Sequence, residues 1–199
     1  MVHFRFRWVW FVSLVATIAL IVLGLHWFLG DRLFSAPSAT ATDTPTVTPV
    51  PSVAGDRLWA DVEALSFPRF SLDNRQKALD YIERSLDNAG WVSTRLPFEQ
   101  GINLVAEYTA ATEVSDASDR PHILLGAHYD TTATSPGADD NASGVAVLLE
   151  LARQMAESPP VQPPVLAFFD VEEAGLLGSI ALANDPDQRD RLDGAIILD

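Results

Sequence analysis

The residue types that bind divalent cations follow several apolar runs of this chain. They are His128 and Asp130 after HILLGA, the pair Asp139-Asp140 before a helix, Glu172 and Glu173 with Asp170 after VLAFF, and Asp199 after AIIL. So much negative charge in one place is costly unless a cation offsets it. One imidazole among carboxylates suits zinc, and magnesium or manganese stay open as alternatives.

The spacing of His128 and Asp130 adds a second argument for a metal. In an extended segment, residues two apart point to the same side, so Asp130 can accept the other imidazole N–H of a metal-bound His128. Each acidic pair also has a structural interpretation: Asp139-Asp140 as a helix N-cap, and Glu172-Glu173 as a solvated helix start. The coincidence of polar residues at three strand ends favours the metal.

Composition excludes several other kinds of site. The 199 residues contain no cysteine, which excludes thiolate ligands, disulfides and a cysteine nucleophile. The formal net charge of −14 disfavours nucleic acid as a partner, because such proteins need a basic face. No residue pattern predicts an oligomeric state.

The elements that must position these residues alternate between helix and strand. The predicted helices cover residues 58–67, 72–90, 141–157 and 176–184, and the predicted strands cover 101–108, 122–127, 165–169 and 195–198. This order predicts an α/β fold with a mostly parallel, mixed sheet sandwiched by helices. Strand 101–108 is expected to pair antiparallel with 122–127. Ligands of such sheets bind beyond the carboxyl ends of the strands.

The first 55 residues differ in character from the rest. Residues 8–29 are uncharged and would span ~33 Å as a helix, enough for a ~30 Å hydrocarbon layer. They predict a single transmembrane helix after a cytoplasmic segment 1–7, because Arg5 and Arg7 precede it. The alternative is a cleaved signal peptide and secretion. Residues 30–55 predict a Ser/Thr/Pro-rich linker that holds an extracytoplasmic domain, residues 56–199.

Four segments of the chain resemble the co-catalytic di-zinc aminopeptidases, a family that includes secreted bacterial leucyl-type enzymes. They are residues 126–130 (GAHYD), 136–145 (PGADDNASGV), 169–179 (FDVEEAGLLGS) and the preceding 103–106 (NLVA). Glutamate carboxypeptidases and glutaminyl cyclases are more distant kin. The resemblance implies a zinc-peptidase fold over residues 58–199, two zinc ions in a complete site, and a peptide substrate.

The resemblance also implies a role for each site residue. His128 and Asp199 resemble ligands of one zinc, Asp140 the carboxylate that bridges both ions, and Glu173 a ligand of the other. Glu172 resembles the general base, and Asp130 the outer partner of His128. A cis peptide bond is expected between Asp140 and Asn141.

The chain departs from the family pattern in one respect. The second zinc of the family needs a histidine far downstream of Glu173, and no histidine follows His128 here. We therefore expect residues 1–199 to be an incomplete catalytic domain; the alternative is a genuine short relative with a crippled second site. In both cases we expect weak or absent peptidase activity, which two tight zinc sites by calorimetry would contradict. The aminopeptidase hypothesis competes with a carboxypeptidase, a glutaminyl-cyclase-type enzyme, and a non-catalytic ectodomain of the same fold.

Overall fold

A computed structural model describes residues 54–108 and 122–199 of the chain. The strands are β1 (Trp91–Pro97), β2 (Ile102–Tyr108), β3 (His122–His128), β4 (Val165–Phe169) and β5 (Leu192–Leu198). The helices are α1 (Gly55–Leu65), α2 (Leu72–Asn88), α3 (Ser143–Glu157), α4 (Leu177–Asn184) and α5 (Pro186–Arg189). A turn, Ala138–Ala142, precedes α3; it is closed by a hydrogen bond from the Ala142 N–H to the Gly137 carbonyl, and its backbone is not helical at Asp140 and Asn141.

The five strands form one mixed sheet in the order β1-β2-β4-β3-β5. β4 and β5 both run parallel to β3, whereas β2 runs antiparallel to β1 and to β4. β4 is buried along its whole length, and its five residues are all apolar, as a central strand requires. Since β3, β4 and β5 are parallel, their carboxyl ends meet at one edge of the sheet.

Each face of the sheet has its own apolar cluster, because side chains alternate along every strand. On one face, Leu104, Leu166 and Phe168 pack with buried residues of α1, α2 and α3. On the other face, Val105 and Phe169 pack with Leu182 of α4. The sheet is therefore covered by helices on both faces, which confirms the predicted α/β class.

The sheet is mixed, as predicted, with two parallel and two antiparallel strand pairings. One prediction about its strand order is wrong. β2 pairs with β4 rather than with β3, because the fully apolar β4 takes the central position between them.

Two elements, β1 and α5, were not predicted. β1 is an edge strand with an exposed Val92, so its sequence lacks the alternation of apolar and polar residues that marks a half-buried strand.

Helix α2 begins and ends as its sequence predicts. The side chain of Ser71 accepts a hydrogen bond from the backbone N–H of Asn74 and caps the first turn. Beyond the last turn, Gly90 takes a φ of 76°, which glycine adopts without steric cost.

A buried polar cluster fastens α1 to α3. Asp61 of α1 accepts two hydrogen bonds from the guanidinium of Arg153, at 2.7 and 3.0 Å, and one from the Tyr81 hydroxyl at 2.6 Å. Glu150 of α3 accepts two from Arg57, at 2.7 and 3.0 Å. Helix α1 thus docks through paired charges as well as through apolar contacts.

The predicted transmembrane segment 8–29 and most of the predicted linker 30–55 lie outside the described residues. Within the two described ranges, we find no helix whose length and apolarity would let it cross a bilayer.

Candidate metal centre

The three parallel strands deliver their polar residues to one edge of the sheet. His128 is the last residue of β3, Glu172 and Glu173 lie in the turn after β4, and Asp199 follows β5. β3 pairs with β4 up to His128↔Phe169 and with β5 up to Ala127↔Leu198, so the three strands end level with one another. The turn that carries Asp140 begins ten residues beyond β3.

His128, Asp140 and Asp199 form the one group of potential metal ligands found among the described residues. The Nε2 atom of His128 lies 2.9 Å from Oδ1 of Asp140 and 3.3 Å from Oδ1 of Asp199. One ligand atom from each residue lies within 4.8 Å of the other two. The His128 side chain is 3% exposed, whereas the Asp140 and Asp199 side chains are 64% and 74% exposed. The group is therefore anchored in the protein and open to solvent on one side.

Asp140 is placed by the backbone on either side of it. Gly137 adopts a left-handed φ of 63°, and the Asp140–Asn141 peptide bond is cis, as the family resemblance implied. The Asn141 side chain donates to the Leu198 carbonyl at 2.8 Å and accepts from the N–H of Gly144 at 2.9 Å. Asn141 thus ties the Asp140 turn both to the end of β5 and to α3.

Asp130 contacts two segments of the site. Its Oδ1 lies 3.4 Å from Nδ1 of His128, the ring nitrogen turned away from Asp140. The same carboxylate accepts the backbone N–H of Glu172 at 2.9 Å and that of Glu173 at 3.2 Å. Burial raises the pKa of Asp130, but these contacts outweigh it and hold the pKa below its ordinary value. The carboxylate therefore stays ionised between β3 and the turn after β4.

The negative charge around His128 changes its own titration. Burial disfavours the imidazolium form, but Asp130, Glu172 and Asp140 outweigh this, so the pKa of His128 is raised. Asp140 and Asp199 are held close together with no Lys or Arg ion pair to either carboxylate among the described residues. One imidazole and two carboxylates facing one point are a donor set that fits a divalent cation such as zinc.

Glu172 and Glu173 lie beside this group and are not part of it. Burial, together with the charges of Asp199, Asp130 and Glu173, raises the pKa of Glu172, although His128 opposes the rise. Oε1 of Glu173 accepts the backbone N–H of Thr132 at 3.2 Å. Neither residue begins a helix, because α4 starts only at Leu177.

Two further acids of the sequence do not join the group. Asp170 is buried, accepts the backbone N–H groups of Ile102 and Val171 at 3.0 and 2.9 Å, and pairs with Arg75 at 3.2 Å. Burial raises its pKa. Asp139 is exposed, and the cap interpretation of Asp139-Asp140 is wrong, because neither carboxylate accepts a backbone N–H of α3, whereas the Asn141 side chain accepts that of Gly144.

Sequence reasoning gave no role to Arg69 or to the side chain of Asn141. A role for Asn141 could have been predicted, since it follows Asp140 directly in the DDNASG segment. Arg69 carried no signal, because it lies between Pro68 and Phe70, nearly 60 residues before His128.

Part of the chain is similar to known proteins. Residues 103–199 match Peptidase family M28. The chain is 38% identical over 101 residues to a "Probable zinc metalloprotease" of Pyrenophora tritici-repentis, covering 46% of this chain and 20% of that protein. It is 29% identical over 182 residues to leupeptin-inactivating enzyme 1 of Streptomyces exfoliatus, covering 86% of this chain and 40% of that protein. The chain thus spans well under half the length of these relatives.

The fold has solved counterparts. A leucine aminopeptidase precursor from Bacteroides thetaiotaomicron superposes with a TM-score of 0.65 at 24% identity, covering 77% of this chain and 64% of that one. This likeness concerns the fold alone. The stretch that matches Peptidase family M28, residues 103–199, is just under half of the chain, and it contains the candidate ligands and the sheet edge that carries them.

Proposed function

We propose that this chain is part of a zinc-dependent exopeptidase that removes N-terminal residues from peptides. The proposal depends on one observation, the convergence of His128, Asp140 and Asp199 on one point. A buried imidazole and two exposed carboxylates leave an open side, as catalytic zinc sites do. The aminopeptidase and zinc metalloprotease names of similar proteins support the same chemistry.

In this proposal, the ligands divide between two ions. His128, Asp140 and Asp199 would hold the first zinc, and Asp140 together with Glu173 would hold the second. The other described histidine, His122, begins β3 and so lies at the far edge of the sheet. The second zinc would then have only the carboxylates of Asp140 and Glu173 as protein ligands, fewer than zinc sites normally have. This shortage supports our proposal that residues 1–199 are an incomplete catalytic domain.

In the proposed reaction, Glu172 transfers a proton and Asp130 holds Glu172 in position. Zinc, when bound, would polarise the scissile carbonyl and make the attacking water more acidic. Glu172 would accept the proton of that water and pass it to the leaving amine. Its raised pKa favours this task, because a stronger base accepts a proton more readily. Asp130 would hold Glu172 in place through its backbone and His128 through its ring.

The test compares substrates with free and blocked amino groups. The protein produced from its native gene should hydrolyse leucine p-nitroanilide, lose that activity with a chelator and regain it with zinc. N-acetyl-leucine p-nitroanilide is the matched control and should not be cleaved. Cleavage of the acetylated substrate alone would contradict the aminopeptidase assignment, and the absence of metal-dependent hydrolysis of any peptide would contradict the enzyme.

We also propose that residues 8–29 anchor the protein in a membrane with the peptidase domain outside. The support is the sequence alone: an uncharged span of sufficient length preceded by two arginines. The protein should stay in the membrane pellet after alkaline carbonate washing, and added protease should digest its domain in intact spheroplasts. Release into the medium with a shortened N-terminus would favour the signal-peptide alternative.

A further inference from the structure

Arg69 is a fully buried arginine beside the candidate metal centre. Its relative exposure is 0%, and it forms no ion pair with any carboxylate of the described residues. Burial lowers the pKa of its guanidinium to about 10, while Asp130 and Asp140 oppose this, so it stays a cation at neutral pH. Burying a cation costs several kcal/mol unless hydrogen bonds offset it. The hydrogen-bond partners of Arg69 must therefore offset the cost of burying its charge.

Those partners are backbone carbonyls of three separate segments. Nε donates to the Tyr129 carbonyl at 2.6 Å, and the two terminal nitrogens donate to Gly137 at 3.0 Å and Pro136 at 3.2 Å. The guanidinium also donates to the carbonyls of Leu65 and Phe67. A planar group with five N–H donors can satisfy carbonyls in several directions at once, which an ammonium group cannot.

Two of these segments carry metal ligands. Tyr129 stands between His128 and Asp130, whereas Pro136 and Gly137 lead directly into the turn that holds Asp140. The backbone N–H of Arg69 strengthens the first connection by donating to Oγ1 of Thr131 at 2.8 Å. Arg69 is thus hydrogen-bonded both to the segment that carries His128 and to the segment that carries Asp140.

The packing at Gly137 leaves little freedom for this connection. A Cβ atom added there would lie 2.2 Å from the Thr131 methyl group, 2.6 Å from an Arg69 terminal nitrogen and 2.8 Å from the Asp140 carbonyl oxygen. The guanidinium therefore lies directly against the backbone that leads to Asp140. A shorter or neutral side chain would leave carbonyls without donors and let this loop move.

We propose that Arg69 is a positioning residue that fixes His128 and Asp140 at the separation a metal ion needs. This role depends on the proposed metal site, and through it Arg69 would help to set the affinity of that site for zinc. Arg69 touches neither the ion nor the substrate. Loss of an outer contact that orients metal ligands typically weakens metal binding by about 10–100-fold.

The experiment measures zinc affinity by competition with a chromophoric chelator, and ligand geometry by the visible spectrum of the Co²⁺ form. Arg69→Lys keeps the charge, and Arg69→Met keeps the approximate length without charge or donors. We expect zinc affinity to fall about 10-fold or more in Arg69→Met and less in Arg69→Lys, with an altered Co²⁺ spectrum in both. Arg95→Met is the matched control, because Arg95 binds Glu83 and Asp80, away from the metal centre.

The outcomes separate this inference from the proposed function. Absence of tight zinc binding in the unmodified full chain would contradict the metal site itself. Tight binding that both folded Arg69 variants retain within twofold would overturn the positioning role alone. If Arg69→Met does not fold, Arg69→Lys decides: unchanged affinity and spectrum overturn the inference. If the role of Arg69 were purely structural, its replacement would lower the unfolding temperature, as we expect for Arg95→Met, and would leave zinc affinity and the Co²⁺ spectrum unchanged.

Discussion

Replacement of Glu172 by Gln is expected to lower kcat by about 10²–10⁴-fold while zinc stays bound. Gln has the shape of Glu but accepts no proton at neutral pH, so only the general-base step is lost. Glu172 is not a member of the three-residue ligand group, so the metal content should not change. The measurements are kcat for leucine p-nitroanilide and zinc content, both on the protein produced from its native gene.

Glu99→Gln is the matched control for this experiment, because it makes the same chemical change at an exposed position outside the site. It should keep full activity. Loss of zinc together with activity in Glu172→Gln would make Glu172 a ligand rather than the base. Activity within threefold of the unmodified enzyme would contradict the general-base assignment.

The sequence predicted the centre of the candidate site because strand direction decides it. Three apolar runs end in acidic or imidazole side chains, and once β3, β4 and β5 run parallel, those ends must meet. His128 and Asp199 follow from this rule alone. Asp140 does not follow a strand, and its place depends on the turn held by Asn141 and Gly137. The order of strands and helices predicted the pair Asp139-Asp140 at this edge of the sheet, and the family resemblance selected Asp140 from it.

What the sequence did not predict depends on contacts between distant segments. Asp170 and Glu172 are both acids after β4, yet Val171 turns the backbone with a φ of 57°, and Asp170 is buried against Arg75 and the backbone of β2. Nothing in the spacing of VLAFFDVEE distinguishes them. The position of β4 beside β2 is equally non-local, because two apolar strands can pair in either order.

Replacement of Glu150 by Gln is expected to lower the free energy of unfolding by about 2–3 kcal/mol at pH 7. The Glu150 side chain is 3% exposed and accepts two hydrogen bonds from Arg57. Gln would turn an N–H donor toward that guanidinium and lose the charge. Urea unfolding at several pH values measures the effect.

The stabilisation by Glu150 depends on pH because the pKa of its carboxyl group is lowered in the folded protein. The Arg57 guanidinium, more than any other group, lowers the pKa of Glu150 to about 2, below its unfolded value of roughly 4.3. The stabilisation is therefore complete above the unfolded pKa and is lost as the pH falls toward 2. The difference between Glu150→Gln and the unmodified protein should accordingly shrink from pH 5 to pH 2.

Glu157→Gln tests whether burial, and not charge alone, makes Glu150 important. Glu157 contacts the same guanidinium at 3.6 Å, but its side chain is 56% exposed. An exposed ion pair contributes only about 0–1 kcal/mol, so this variant should unfold close to the unmodified protein. Equal losses for the two variants, or a loss in Glu150→Gln that does not change with pH, would show that the carboxylate of Glu150 does not fasten α1 to α3.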